Sequence, residues 1–564
     1  MIVMDLVIRG ADIYDGRGGA PYKGDVGVSG GRIAAVGTVD VKGAEEIDAS
    51  GLALMPGIID SHTHFDAQIT WDPWCTPSPA LGVTSVLIGN CGFTIAPCKA
   101  PDRDLIMKNL VQVEGMSLDV LRSGIAWDFE TFPEYLDMLE ARGSALNVGA
   151  FLGHSSLRTY VMGDAATERA ANDDEIAEMA RLVRAAMAAG AVGFATSTAP
   201  QHNGWGGVPM PSRLADAREL ETLVTAMGED GQGVFMLTKG NTTDVPYLET
   251  VAAKSGRPVM IAALLHNPTN PEGTFKDLAA VAAARANGRE LWGQVSCCPL
   301  YMDFSLKSAY PLEGLSAWKP AMEASGEALK AVYASEAFRQ AVKDELSGPA
   351  GVRLFNGEWD KIEVTETARP ENRAYDQKKV AGLAEAAGKH PLDWMLDLAI
   401  SEDLDTLFMA ELLNTDEDAV GRMMQDPNAS VALSDAGAHL TFFCDAGFGL
   451  HLMGHWSRDL GKLTLEQATH ELTAKPAGIY RIPERGEIKE GFHADLLLFD
   501  PKTVGRGPKR RVHDLPGGAP RLTTDAVGVA GVWVNGVRVA DAKGPVIADD
   551  RETLPGRVLR AFGS

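Results

Sequence analysis

From residue 57 onward the chain repeats one unit: a short, almost continuously apolar run, a polar residue where the run ends, then a longer amphipathic stretch. The runs fall at residues 58–59, 83–88, 145–152, 191–195, 233–237, 258–265, 291–296 and 430–435. A strand that alternates apolar and polar residues has one wet face, whereas a run apolar at every position is buried on both faces. Strands of that kind, separated by helices, pack as a parallel sheet covered by the helices. The helix predicted over 173–189, with Asn172 before it and Gly190 after it, carries the start and stop signals of such a covering helix. The fold class is therefore α/β, a (β/α)8 TIM-like barrel.

Both ends of the chain follow a different rhythm. Residues 1–56 alternate in short runs punctuated by Gly18-Gly19 and Gly30-Gly31. The same short-strand pattern returns over 484–564, where Asn535-Gly536 is a hairpin signal. These ends read as the N- and C-terminal parts of one small β-sandwich into which the barrel, residues 57–483, is inserted. Between 297 and 375 the barrel rhythm breaks, which predicts an insertion over the barrel that serves in part as a lid. Its Trp318 and Trp359 are available as pocket walls or as core.

In a parallel barrel the residues that end the strands converge on one mouth, however far apart they are in sequence. The first run ends in Asp60-Ser61-His62-Thr63-His64. Residues two apart on a strand share a face, so His62 and His64 can present their imidazoles to one point, a geometry suited to a metal ion. Two histidines at a strand end can also be plain surface residues, but here they follow a buried run. Cys91, in Gly89-Asn90-Cys91-Gly92, ends the next run and as a thiolate is a ligand suited to zinc; otherwise it is an inert core thiol.

Further along, Lys239 follows the run 233–237 and could ligate as a carboxylated lysine or simply pair with a carboxylate, and His266 follows the run 258–265. Asp435 ends the last run. A carboxylate there can take a proton from an attacking water and return it to a leaving group, or can merely cap the helix that follows. His154, Arg158, His202 and Arg213 stand where they could contact a substrate, the arginines by gripping a carboxylate bidentately.

Composition excludes several partners. The chain carries 76 acidic against 52 basic residues, a net charge of -24, so it has no basic excess for nucleic acid or an anionic membrane. The start Met1-Ile2-Val3-Met4-Asp5-Leu6 lacks the features of a signal peptide, and six cysteines in 564 residues do not form a disulfide framework. A cytoplasmic protein with a small-molecule substrate is the expectation, and a homo-oligomer is compatible with it.

The stretch Leu54-Met55-Pro56-Gly57-Ile58-Ile59-Asp60-Ser61-His62-Thr63-His64, with Gly486-Glu487-Ile488-Lys489-Glu490-Gly491-Phe492-His493-Ala494-Asp495, resembles the amidohydrolase superfamily. Gly89-Asn90-Cys91-Gly92, Gly153-His154-Ser155-Ser156-Leu157-Arg158 and Ser434-Asp435 are similar to motifs of its N-acyl-D-amino-acid deacylases. The resemblance implies hydrolysis of a linear amide at a zinc site of one or two ions. His62 and His64 would be the first metal pair, Cys91 the thiolate ligand and Asp435 the catalytic aspartate, itself close enough to ligate.

The chain departs from the resemblance twice. Where those deacylases have Thr-His or Ser-His it has Thr238-Lys239, and where they have Ser-His-x-Lys it has Ala262-Ala263-Leu264-Leu265 before His266. Either a carboxylated Lys239 bridges two ions, as in cyclic-amide hydrolases, or one ion sits on His62, His64 and Asp435. A non-catalytic scaffold is the third reading.

Overall fold

The computed structural model describes residues 4–349, 353–440, 444–546 and 554–563. Met1, Ile2 and Val3, read above for a leader, lie outside them.

Eight parallel strands form the barrel: β1 (Ile58–Asp60), β2 (Val83–Ile88), β3 (Asn147–Gly153), β4 (Gly193–Ser197), β5 (Val234–Thr238), β6 (Val259–Leu264), β7 (Leu291–Val295) and β8 (Ala429–Val431). They stand in sequence order, each hydrogen-bonded to the next. Six of the eight strands are buried at every position and the other two at all but one, which is why the runs are largely apolar. The helix Asp173–Ala189 occupies its expected span, with a reciprocal cap between Asn172 and Glu175 and Gly190 in the left-handed region.

The barrel closes just beyond the strands proper. Thr63 bridges Ala436 in parallel, the His64 amide donates to the Ala436 carbonyl at 2.7 Å, and Ser434 Oγ donates to the His62 carbonyl at 3.3 Å. Gly437 permits this seam: its φ is +91°, and a Cβ there would lie 2.6 Å from the His64 backbone.

The two chain ends meet in one nine-stranded sheet, in which Ala53–Pro56 pairs with Leu496–Phe499. Asn535-Gly536, both at positive φ, turn the hairpin between Val529–Val534 and Val537–Asp541. A buried network of Arg485, Asp495, Asn535 and Asn147 ties this sheet to β3. A long hairpin, Gly505–Leu515 with Ala519–Val527, stands apart from that sheet.

Between β7 and β8 the chain builds a second core that runs from Met302 to Leu412, beyond the 297–375 expected. Leu300–Phe304 pairs antiparallel with Leu407–Leu413, so the excursion ends only where its last strand returns. Trp318 and Trp359 both pack in this core, Trp318 against Tyr333 and Phe338 and Trp359 against Phe355. Neither lines the barrel mouth. Among the described residues no helix is long and apolar enough to cross a membrane.

Candidate active site

At the C-terminal mouth of the barrel lies a cavity of about 120 Å³ whose floor is His62, His64, Cys91 and Asp435. The three donor atoms of His62, His64 and Cys91 lie within 4.8 Å of one another, and all three residues are buried. His62 Nε2 stands 3.6 Å from Cys91 Sγ and 3.3 Å from Asp435 Oδ1, while His64 Nε2 is 3.7 Å from the same carboxylate oxygen.

The other nitrogen of each imidazole faces a polar oxygen behind it, in hydrogen-bond geometry for His62 and as a close approach for His64. His62 Nδ1 is 2.6 Å from Gln294 Oε1, and His64 Nδ1 is 3.2 Å from Glu114 Oε1. Contacts of this kind fix which nitrogen faces the cavity.

Cys91 and Asp435 sit at φ of +58° and +47°, in the left-handed region that residues with a Cβ seldom adopt. The Cys91 turn is braced by Asn90 Nδ2, which donates to the carbonyls of Leu87 at 2.8 Å and Thr63 at 3.2 Å. The Asp435 turn is braced by the barrel seam. Both residues thereby face the cavity rather than continue their strands.

Burial raises the Cys91 thiol, but the facing His62 and His64 outweigh it and bring the group down to about 7. Burial likewise raises Asp435, yet its contacts with His64 and His62 hold it well below the usual carboxylate range. The side chain keeps 23% exposure to the cavity, in line with an ionised group. Burial pushes His202 down to about 3, which leaves it neutral. The Tyr310 phenol is driven up by burial and stays protonated.

The structure does not bring every sequence-expected residue to this cavity. Lys239 Nζ lies 2.7 Å from both oxygens of Asp277, away from the floor, because Thr238 takes the inward position and its chain neighbour faces outward. Thr238 Oγ1 is 3.1 Å from Cys91 Sγ. By the same alternation Ala263 and Leu265 line the cavity and His266 does not; His266 is buried, with its amide donating to Asn414 Oδ1 at 2.7 Å.

His154 and Arg158 are fully buried with Glu219, which accepts from Arg158 and lies 2.8 Å from His154 Nε2, so neither is available to a substrate. His202 is at the cavity wall, with Nδ1 2.6 Å from Ser197 Oγ. Arg213 stands behind it, donating to the His202 carbonyl at 3.0 Å and Asn203 Oδ1 at 2.5 Å.

Four contributors were not visible in advance. Glu114 ends the helix α1 (Arg103–Glu114), and its carbonyl accepts from the His439 amide at 2.5 Å. His439 follows Asp435 on the closing turn, Tyr310 comes from the excursion, and Gln294 is inside β7. Only His439 had a sequence signal, its place four residues after the last strand-end carboxylate.

A parallel eight-stranded barrel that gathers two imidazoles, a thiol and a carboxylate at one mouth has the arrangement of a hydrolase that works with a bound metal ion. The chain belongs to the amidohydrolase family, whose sequence model matches residues 45–540, and it is a hydrolase of carbon–nitrogen bonds other than peptide bonds.

It is 28% identical to a D-aminoacylase of Alcaligenes xylosoxydans xylosoxydans over 95% of this chain and 94% of that one. It is also 28% identical to an N-acyl-D-glutamate deacylase of the same organism, over 100% of this chain and 97% of the relative. Among solved structures, the N-acyl-D-glutamate deacylase of Bordetella bronchiseptica, complexed with zinc and a phosphonate that mimics the tetrahedral intermediate, superposes with a TM-score of 0.69. That match is at 26% identity and covers 99% of this chain and 100% of that one.

Proposed function

We propose that this chain hydrolyses a linear amide, an N-acyl amino acid or a related N-acyl amide, at the cavity floored by His62, His64, Cys91 and Asp435. The observation that carries the reading is the placement of Asp435 Oδ1 within 3.3 and 3.7 Å of two imidazoles whose other nitrogens face Gln294 and Glu114 rather than the cavity.

The donor set fits a zinc ion: two imidazole nitrogens and a thiol in mutual reach, buried, with a carboxylate beside them. His62, His64 and Cys91 would hold it, with Asp435 as a further donor. Bound there, zinc supplies a Lewis acid that polarises a carbonyl oxygen and acidifies water. The outward turn of Lys239 supports one ion rather than a bridged pair, and leaves the cyclic-amide reading without the carboxylated lysine it requires. A scaffold would have no use for an ionised carboxylate facing two oriented imidazoles, so the structure favours an enzyme over that third reading.

The chain's own residues provide the proton path. Asp435, ionised, accepts a proton from water as the oxygen attacks the amide carbonyl. When the C–N bond breaks, the same carboxyl returns that proton to the departing nitrogen, and the products are a carboxylic acid and an amine. Transfers of this kind contribute typically 10²–10⁴-fold. Tyr310, protonated, and neutral His202 line the walls as donors toward the substrate.

All of these residues come from one chain, so the reading needs no second copy, although it allows a homo-oligomer. Six unpaired, buried cysteines support a cytoplasmic location. The test is zinc content together with amine release from a panel of N-acyl amino acids and N-alkyl amides. About one zinc per chain with turnover that a chelator abolishes supports the proposal; metal-free protein with undiminished turnover overturns it.

A further inference from the structure

The cavity floor has two imidazoles and a carboxylate, but among the described residues the cavity offers no lysine or arginine to a substrate's own carboxylate. Each basic side chain placed nearby in sequence is committed elsewhere. Lys239 pairs with Asp277, Arg158 with Glu219, and Arg213 with the His202 carbonyl and Asn203. Arg353, adjoining the lining residue Leu354, is committed to Glu345 at 3.1 Å and to Asn356 Oδ1 at 2.9 Å, and the stretches 350–352 and 441–443, close in sequence to Leu354 and His439, are Ala-Gly-Val and Thr-Phe-Phe and hold no basic residue.

The walls are apolar or acidic instead. Val113, Leu265, Leu300, Met302 and Leu354 surround the floor, and Glu114 joins Asp435 among the lining residues. An anionic group brought in beside the amide nitrogen would lose its hydration against hydrocarbon and face two carboxylates without a partner, which is strongly unfavourable.

The space beyond does not reverse this. The adjoining cavity, reached past Gln201, Tyr310 and Leu354, is lined by Gln112, Asn203 and Glu313. Lys319 appears only in the cavity beyond that, at the surface, with its side chain 68% exposed and Glu323 at 3.8 Å.

We propose that the substrate of this chain carries no carboxylate next to the scissile amide: it is a neutral N-alkyl or N-aryl amide whose short apolar substituent lies against the hydrocarbon wall. The inference rests on the amide-hydrolase reading above and narrows it.

The matched pair N-acetylleucine, both enantiomers, and N-isopentylacetamide tests it, since the amide is the same skeleton without the carboxylate. Amine release is measured on the protein as purified, and binding of each compound is measured in parallel by ligand-observed NMR titration. The expected result is a kcat/KM for N-isopentylacetamide at least about tenfold above either enantiomer. In Leu265→Arg the ratio is expected to shift toward the acid. Equal or better turnover of an N-acetylleucine by the unmodified chain overturns the inference. If no compound is hydrolysed, the amide-hydrolase reading falls and binding decides separately: tighter binding of the neutral amide sustains the inference, and tighter binding of the acid, or no binding of either, overturns it.

Discussion

His62 Nδ1 lies 2.6 Å from Gln294 Oε1, and this one contact decides which nitrogen of the imidazole is offered to the cavity. The amide oxygen can only accept, so Nδ1 must carry the proton and Nε2 must present its lone pair toward Cys91 and Asp435. Gln294 is itself fully buried and held near Ser61 Oγ at 3.3 Å and the Tyr480 hydroxyl at 3.4 Å, so it cannot swing away. Gln294→Leu should weaken zinc binding by about 10–100-fold, read by competition with a chromophoric chelator, while Gln294→Glu, which preserves the acceptor, should lose far less. Unaltered zinc affinity in Gln294→Leu would remove the contact from any positioning role.

Of the four described residues that form the cavity floor, Asp435 is the one that combines a held carboxylate with exposure to the space above. Asp435→Asn is expected to lower kcat by about 10²–10⁴-fold while retaining most of the zinc on His62, His64 and Cys91. Parallel rate and metal measurements separate the two effects, and a variant that loses its metal in proportion to its rate would make Asp435 mainly a ligand.

Metal content should likewise separate Cys91 from Lys239. Removing the thiol takes away one of three close donors, so Cys91→Ala should bind substoichiometric zinc by plasma mass spectrometry. Lys239→Ala should bind as much as the unmodified chain, because its ammonium is occupied by Asp277. A drop in zinc for the lysine variant would restore the carboxylated bridge.

The buried set of His154, Arg158 and Glu219 belongs to stability. Glu219→Ala strands an arginine and a histidine that are 0% exposed and should destabilise the fold by about 3–5 kcal/mol, measured by urea unfolding. The kcat of the folded fraction at low temperature should stay within about twofold, since none of the three touches the cavity.

Glu313 gives the pH dependence a sign. Burial outweighs its bond with Gln112 and raises it to about 7, above the ordinary value of 4.5. Between those two values the folded state binds a proton that the unfolded chain has released, so stability falls as pH rises from about 4.5 and the full penalty is present above about 7. Discounted for partial exposure, Glu313→Gln should gain on the order of 1 kcal/mol at pH 8 and nothing at pH 4. A gain of equal size at both values would assign the effect to packing.

What could be read from the sequence was set by range. The barrel strands were legible because burial on both faces leaves a largely apolar run, and His62 and His64 because their relation is local to one strand. The register of the inward face was harder. Lys239 and His266 each follow a strand, but the residue before each, Thr238 or Leu265, holds the inward place, and a shift of one position turns a ligand into a surface or core residue.

Glu114 and Gln294 were not legible for a different reason. A glutamate ending a helix reads as solvated, and a glutamine inside an apolar strand has no partner in view until the strand beside it is known. The excursion's true length was hidden for the same cause, since Leu300–Phe304 finds its partner about a hundred residues later at Leu407–Leu413.

The seam at Thr63 and Ala436 has a consequence for how the molecule comes into being. Its two sides lie far apart in sequence, 372 residues from His62 to Ser434, so on a ribosome the two histidines emerge long before the carboxylate that faces them. The hydrogen bonds that shut the cylinder and the donors that would grip an ion occupy the same few ångströms. An ion captured there acts as a fastener: it favours the closed ring over the open ribbon by its own binding free energy. Chelation would then slacken the join between the first and last strands, and amide exchange at His64 would report it.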